Sequence, residues 1–218
     1  NLACHRDLLR AFEMTPPPHL SGLTGSFGKN LASEQKLFEL NELLAPVETQ
    51  LTATFETPQR PLVFVIGAPR SGTTLMSQIL AATEKFGGAT NFMARFWKAP
   101  TLAMRMQEVL DLPSSHRSFR SVRGATDGIS EPHEFGYYWS SWFDLGQETH
   151  SLSREHLARV DLIGLKRSLA SMEAAAQKPL MFKNNTWFTF QASWLAEQFP
   201  TSVFVACVRD PFFVAQSI

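Results

Sequence analysis

The sequence predicts an α/β fold in which a doubly wound parallel sheet is flanked by helices and preceded by an N-terminal helical cap. "LVFVI" at 62–66 has the uninterrupted apolar composition of a central parallel strand buried on both faces, and "SVFVACV" at 202–208 is a second strand candidate. The first run leads at once into the glycine-containing stretch "GAPRSGTT" at 67–74. Helical segments alternate with strand candidates along the rest of the chain, as expected of this fold class.

The elements divide the chain into an N-terminal helical cap or extension over 1–60 and an α/β domain over 61–218. The first region reads as helical and irregular. Within it, "ASEQKLFELNELLAPV" at 32–47 carries apolar residues at helical spacing, and this helix is expected to end before Pro46.

Within the α/β domain, "TTLMSQILAAT" at 73–83 has helical spacing directly after the glycine stretch. "GATNF" at 88–92 and "PLMFK" at 179–183 are further strand candidates. Helices are predicted in the other segments, at about 100–110, 132–143, 154–176 and 187–199.

The composition indicates one sizeable core and no overall attraction to polyanions. Of 218 residues, 44% are hydrophobic, and 20 basic residues balance 20 acidic ones. Nucleic-acid binding is therefore not expected, and any anion site must be local. Cys4 and Cys207 suggest neither a disulfide nor a zinc site. No apolar stretch is long enough for a membrane span and no signal peptide is recognisable, so a cytoplasmic location is expected.

Both ends of the chain are expected to be cut. The first residue is Asn1 rather than Met, and the chain stops at Ile218 in what reads as the first turn of a helix.

The stretch "GAPRSGTT" has the glycine spacing of a nucleotide-binding loop but lacks its lysine. Such loops read G-x-x-x-x-G-K-[ST]; here Gly67 and Gly72 have the right separation, Thr73 replaces the lysine, and Arg70 supplies a positive charge three residues earlier. Backbone N–H groups and the positive end of a helix form a site for phosphate or sulfate at such a loop. The plain structural alternative is a tight strand-to-helix turn that needs glycine.

A nucleoside-triphosphate hydrolase is disfavoured by the second strand as well. "VFVACVRDP" ends in Asp210, but Arg209 precedes it and Pro211 follows it, which is unlike a strand that ends in a magnesium-binding aspartate. Arg209 instead indicates a second anion; its plain alternative is a surface ion pair at a strand end.

The motifs "GAPRSGTT" and "VRDPFFVAQS" together resemble those of the sulfotransferase family that uses 3′-phosphoadenosine-5′-phosphosulfate (PAPS). The resemblance covers about residues 62–218 and is to the bacterial and Golgi-type branches, which have arginine in the first loop. It implies that Arg209 and Ser217, eight residues apart, bind the 3′-phosphate. It also implies that the first loop wraps the 5′-phosphosulfate, through Pro69, Arg70, Ser71, Gly72, Thr73 and Thr74.

The chemistry of these residue types agrees with that reading. Arginine offers a planar, permanently charged fork that suits phosphate or sulfate oxygens, so Arg70 is a candidate clamp on the transferring group. Sulfuryl transfer between two oxygens needs charge stabilisation and in-line positioning, which arginine and hydroxyl donors supply without a metal. No metal site is therefore expected.

An aromatic segment between the two motifs is the candidate acceptor site. "SEPHEFGYYWSSWF" at 130–143 and "NFMARFW" at 91–97 have the aromatic composition of a pocket for a small-molecule or lipid-like hydroxyl acceptor, although core packing is the preferred explanation for most of these rings. Within the first segment Glu131, His133 and Glu134 compete for the role of general base.

We predict His133 as the base, because an unperturbed histidine titrates near neutral pH, with Glu134 as the substitute and Glu131 as the orienting carboxylate. On a helix, Glu131 and Glu134 would share a face while His133 would point elsewhere. Lys183, at the carboxyl end of the 179–183 strand, is a candidate to steady the bridging oxygen, or else an ordinary solvated lysine.

The predicted activity is transfer of a sulfuryl group from PAPS to an acceptor hydroxyl or amine, with release of 3′,5′-bisphosphoadenosine (PAP). One alternative is a nucleotide or small-molecule kinase with an atypical loop, which would bind ATP with magnesium. The other is a non-catalytic nucleotide-binding module, which would bind PAP without turning over sulfate.

Overall fold

The computed structural model describes residues 31–112, 119–122, 124–143 and 151–216. The helices are α1 (Leu31–Thr52), α2 (Thr73–Ala82), α3 (Pro100–Val109), α4 (Gly136–Phe143), α5 (Arg154–Leu157), α6 (Leu162–Ala176), α7 (Asn185–Gln198) and α8 (Pro211–Ala215), with a 3₁₀ turn at Met93–Arg95. The strands are β1 (Val63–Gly67), β2 (Gly87–Gly88), β3 (Ser121–Val122), β4 (Ala125–Thr126), β5 (Leu180–Lys183) and β6 (Val203–Cys207).

Four strands form a parallel sheet in the order β2-β5-β1-β6, and β3 pairs with β4 in a separate antiparallel hairpin. Strand β1 is central, with Val63 beside Met181 of β5 on one side and Val203 of β6 on the other. Its side chains alternate between two apolar clusters: Phe64 packs in the larger one, and Val63 and Val65 in the smaller. Burial on both faces confirms the α/β prediction.

Strand β6 is less buried than its apolar sequence suggests, because it lies at one edge of this sheet. Val203 is 50% exposed, and the strand has no fully buried residue. Strands β1 and β6 have similar apolar sequences, but β1 is central in this sheet whereas β6 lies at its edge.

The predicted strand at 88–92 is interrupted after Gly88, and its remaining residues pair with the segment 129–133 instead. Backbone N–H groups of Asn91 and Phe92 donate to the carbonyls of Glu131 and Ile129, and that of His133 donates to Ala89. The predicted helix over 132–143 therefore begins only at Gly136. The prediction that His133 and Glu134 lie within this helix was wrong, because both residues precede it.

Helix α1 continues past Pro46 to Thr52, where the sequence led us to expect an end. Pro46 is exposed, and contacts on both sides of it tie the helix to the core. Asn41 donates to the carbonyl of Arg95 at 2.8 Å and accepts from the N–H of Lys98 at 2.9 Å. These contacts outweigh the loss of one helical hydrogen bond. The remainder of the predicted cap, residues 1–30, lies outside the described residues.

Glu48 of α1 caps another helix. Its buried carboxylate accepts the backbone N–H groups of Thr101 and Leu102 in the first turn of α3, at 2.9 and 3.1 Å. Burial raises the pKa of the Glu48 carboxyl, although these hydrogen bonds act in the opposite direction. The carboxylate thus joins the N-terminal helix to the α/β domain.

We expect Glu48→Ala to lower the free energy of unfolding by about 1–3 kcal/mol, because two backbone donors lose their acceptor. Chemical denaturation measures the effect. The control is Glu39→Ala on the same helix, an exposed residue whose recorded side-chain partner is Gln35, and it should change the free energy by less than about 0.5 kcal/mol. Equal decreases in the free energy of unfolding in both variants would contradict the capping role of Glu48.

Candidate functional site

The loop between β1 and α2 turns tightly through three residues with positive φ. These are Gly67 at 150°, Arg70 at 67° and Gly72 at 100°. A Cβ on Gly67 would lie 2.6 Å from both the carbonyl oxygen of Cys207 and the Oγ of Ser71, so only glycine fits there. The loop folds back over the carboxyl ends of β1 and β6 and brings Arg70 to the surface.

The donors of this loop fit an anion. Helix α2 begins at Thr73 with Gly72 as its N-cap, and no side chain caps it. The Oγ of Ser71 is buried, and no residue in the described ranges partners it. The backbone N–H groups of a helix start without a side-chain cap can donate to a phosphate or sulfate.

The second motif lies against the first. Arg209 follows β6, which neighbours β1, and its Nη1 donates to the carbonyl oxygen of Arg70 at 3.1 Å. Its guanidinium also lies 5.9 Å from the ring centroid of Phe213. Asp210 accepts the N–H of Phe212 at 2.8 Å and so caps α8. Ser217 lies outside the described residues.

A small cavity of about 240 Å³ joins both motifs. We call it the donor cavity. Its lining contains the predicted loop residues other than Ser71, the arginine of the second motif and one carboxylate of the aromatic segment: Pro69, Arg70, Gly72, Thr73, Thr74, Leu75, Ser121, Gly124, Glu134 and Arg209.

A larger cavity of about 890 Å³ lies next to it, and we call it the acceptor cavity. One wall is α1, through Glu34 and Leu37; the others come from the 91–97 segment, the turn that follows β4, and the segment with His133 and Glu134. The hydroxyl of Tyr137 donates to Glu34 at 2.7 Å. Burial raises the pKa of Tyr137, so the phenol remains a donor at neutral pH.

Glu134 is common to the two cavities and forms an ion pair with Lys183. The side chain of Lys183, at the end of β5, is only 4% exposed, whereas that of Glu134 is 44% exposed. The segment is held by Phe135, which adopts a left-handed conformation (φ 55°) and stacks on Tyr138 with ring centroids 4.6 Å apart. The buried ring of Phe135 thus anchors the exposed carboxylate beside it.

His133 lines the acceptor cavity but not the donor cavity. Its Nδ1 accepts the backbone N–H of Phe135 at 2.9 Å. In a neutral imidazole the accepting nitrogen carries no proton, so this hydrogen bond assigns the proton to Nε2. In the neutral ring Nδ1 is therefore already engaged by the backbone.

Glu131 lines neither cavity. It is 2% exposed and accepts from Nε2 of the buried Gln78 at 2.9 Å. Gln78 belongs to α2, the helix that begins at the glycine loop. Glu131 therefore links the acceptor segment to that helix, and Gln78 is a supporting residue that the sequence gave no reason to select.

Within the described ranges no cluster of three or more His, Cys, Asp or Glu side chains is arranged to hold a metal ion. No helix of the described part of the chain has both the length and the apolar character needed to cross a bilayer.

Comparison with known proteins identifies the family of the chain. The chain is 27% identical over 176 residues to the omega-hydroxy-beta-dihydromenaquinone-9 sulfotransferases of Mycobacterium bovis and Mycobacterium tuberculosis, an alignment that covers 72% of this chain and 44% of each relative. The chain thus matches less than half the length of these relatives. No solved structure matches it significantly. The sequence profile of the sulfotransferase family matches residues 61–218, the region that carries both anion motifs, and the chain therefore belongs to the sulfotransferase family.

Proposed function

We propose that this protein is an enzyme that transfers a sulfuryl group from PAPS to the hydroxyl of a small-molecule or lipid-like acceptor and releases PAP. One observation carries the proposal: two anion motifs 139 residues apart meet through the contact between Arg209 and Arg70, and the cavity they share adjoins a larger one at Glu134. Family membership supports the class of reaction.

On this proposal the glycine loop binds the 5′-phosphosulfate. Arg70 and the hydroxyls of Ser71, Thr73 and Thr74 supply donors, while Gly72 leaves open space, since a Cβ there would meet no atom within 4 Å. Charged and neutral donors arranged before reaction stabilise charge that develops during transfer. Arg209 binds the 3′-phosphate, together with Ser217.

The acceptor oxygen attacks the sulfur. The bond between that oxygen and sulfur forms, the bond between sulfur and the 5′-phosphate oxygen breaks, and its electron pair leaves on PAP. Glu134 takes the proton of the acceptor hydroxyl, because its carboxylate reaches both cavities, whereas Nδ1 of His133 is engaged by a backbone N–H. We therefore favour Glu134 over His133 as the base.

Lys183 is the group that we propose to steady the leaving oxygen. Its ammonium is paired with Glu134 and lies at the carboxyl end of a parallel strand, where ligands bind in open α/β sheets. Burying a cation costs little free energy only while a negative partner is near. The negative charge that develops on the leaving oxygen would be such a partner during transfer.

The acceptor cavity suits a hydroxyl compound with both polar and apolar parts. Its volume falls within the range of about 300–1,000 Å³ that is typical of small-molecule sites. Its lining includes Leu37 and Trp97 as well as Asn91, Arg95 and Asp127. The relatives are named for an omega-hydroxylated menaquinone, which supports a lipid-like alcohol as one acceptor class.

A thermal-shift comparison of PAP, PAPS and ATP, each with and without magnesium, tests the donor. We expect PAP and PAPS to raise Tm without magnesium, because a ligand at 100 times its Kd adds about 2.7 kcal/mol to stability. Stabilisation by ATP only with magnesium would support a kinase instead. PAP binding without sulfate turnover on any of a panel of phenols, alkanols and amines would support a non-catalytic module.

Arg209→Ala supplies the matched control. The wild type should prefer PAP over AMP, which lacks the 3′-phosphate, and the variant should lose that preference while it still binds AMP. An unchanged preference would assign the 3′-phosphate to another residue.

A further inference from the structure

Gly124 occupies an unusual position between the two cavities. It lies in the turn between β3 and β4 with φ of 91°, a conformation that favours glycine. Of the described residues that line the cavities, only Gly124 and Glu134 belong to both. Glu134 has a chemical role in the proposed reaction, whereas Gly124 has no side chain at all.

The space beside Gly124 is bounded by two donors. A Cβ placed on it would lie 3.8 Å from Oγ1 of Thr74 and 3.9 Å from Nζ of Lys183. The hydroxyl and the ammonium are therefore separated by no more than the sum of those distances. Both distances are ordinary van der Waals contacts, so a side chain here would fill this gap without striking the backbone.

These facts identify the gap as suited to a small anion. Thr74, in the first turn of α2, is one of the residues that we propose to bind the 5′-phosphosulfate, and Lys183 is paired with the proposed base. A group in the gap would have a hydroxyl donor on one side and, on the other, the ammonium that is paired with Glu134, and both Gly124 and Glu134 also line the acceptor cavity. Reacting atoms must approach to about 3–3.5 Å, which an intervening side chain would prevent.

We propose that Gly124 marks the point of sulfuryl transfer: its missing side chain leaves the gap between Thr74 and Lys183 for the sulfuryl group of PAPS and lets the acceptor oxygen reach the sulfur. Gly124 is thus a positioning residue, and the inference rests on the proposed function. The bonds made and broken are those given above, with sulfur exchanging one oxygen partner for another and the acceptor proton passing to Glu134.

The test compares the Kd of PAPS with that of PAP, measured by isothermal titration on Gly124→Ala and on the wild-type chain. PAP lacks the sulfuryl group. We expect the added methyl to weaken PAPS binding about tenfold or more, as overpacking of a filled site does, and to change PAP binding less than about threefold. If the alanine variant does not fold, Gly124→Asn provides the same comparison, because asparagine tolerates a left-handed backbone.

Gly128→Ala is the matched control. Gly128 also has positive φ, at 119°, and lines the acceptor cavity only. Its Cβ would meet Cγ of Glu131 at 3.2 Å rather than a donor. Backbone strain should lower Tm in both variants, whereas only Gly124→Ala should change the ratio of the two dissociation constants.

An unchanged ratio in Gly124→Ala, or an equal change in Gly128→Ala, would overturn this inference alone. A wild-type chain that binds neither nucleotide would overturn the proposed function and this inference with it.

Discussion

Arg70→Ala is expected to lower kcat/KM for PAPS by about 30- to 1,000-fold, equivalent to about 2–4 kcal/mol of transition-state stabilisation. Arg70 supplies the formal positive charge of the glycine loop and lines the donor cavity. Alanine keeps a Cβ at this left-handed position, so the variant removes the guanidinium without a new backbone preference. Steady-state release of PAP in the presence of an accepted alcohol measures the effect.

Two further variants test whether a decrease in kcat/KM is specific to the Arg70 guanidinium. Arg70→Lys retains the charge but not the planar fork, and it should recover only part of the rate. Arg159→Ala removes an exposed arginine that lines neither cavity and should leave turnover unchanged. Normal turnover in Arg70→Ala would mean that the loop is only a strand-to-helix turn.

Glu134→Gln should lower turnover by about 10²- to 10⁴-fold while PAP affinity stays close to the wild-type value. Glutamine has the same shape as glutamate but cannot take a proton from the acceptor. His133→Ala should cost much less, because Nδ1 of this ring already accepts a backbone N–H. Turnover, Kd for PAP and Tm should be measured on both variants together.

Loss of the ion pair complicates Glu134→Gln, since Lys183 is almost fully buried. Glu134→Asp keeps a carboxylate near Lys183 and should retain more Tm and more activity than the glutamine variant. If the rate collapses only in His133→Ala, the histidine is the base, as the sequence analysis predicted. Near-normal rates in both variants would show that neither residue acts as the base.

Local signals in the sequence were sufficient to predict strand β1, the turn at the glycine loop, helix α2 and strand β6. The strand at β1, the glycine loop and helix α2 are contiguous, and each has its own pattern of apolar residues or glycines. The arginine after β6 could be identified because its strand is a long apolar run. The glycine loop and Arg209 lie close together because they follow neighbouring parallel strands, whose carboxyl ends lie at the same edge of the sheet.

The acceptor side was less predictable because long-range contacts determine it. The aromatic segment has helical composition, yet residues 129–133 pair with the chain that follows β2. Pro132 was the available signal, since the residue before a proline disfavours the helical conformation. Nothing local marks Gly124, or the pairing of Glu134 with a lysine 49 residues away.

If the glycine loop and Arg209 bind the two phosphate ends of PAPS as proposed, the contact of Arg209 with the carbonyl of Arg70 makes these two subsites thermodynamically interdependent. An anion that draws the Arg209 guanidinium toward itself also withdraws a donor from the glycine loop, at a residue already in a left-handed conformation. Occupancy of either subsite then alters the affinity of the other, and by linkage the factor is the same in both directions. On the proposed function, we therefore expect that the binding free energy of the whole nucleotide is not the sum of contributions measured on its two phosphate ends separately.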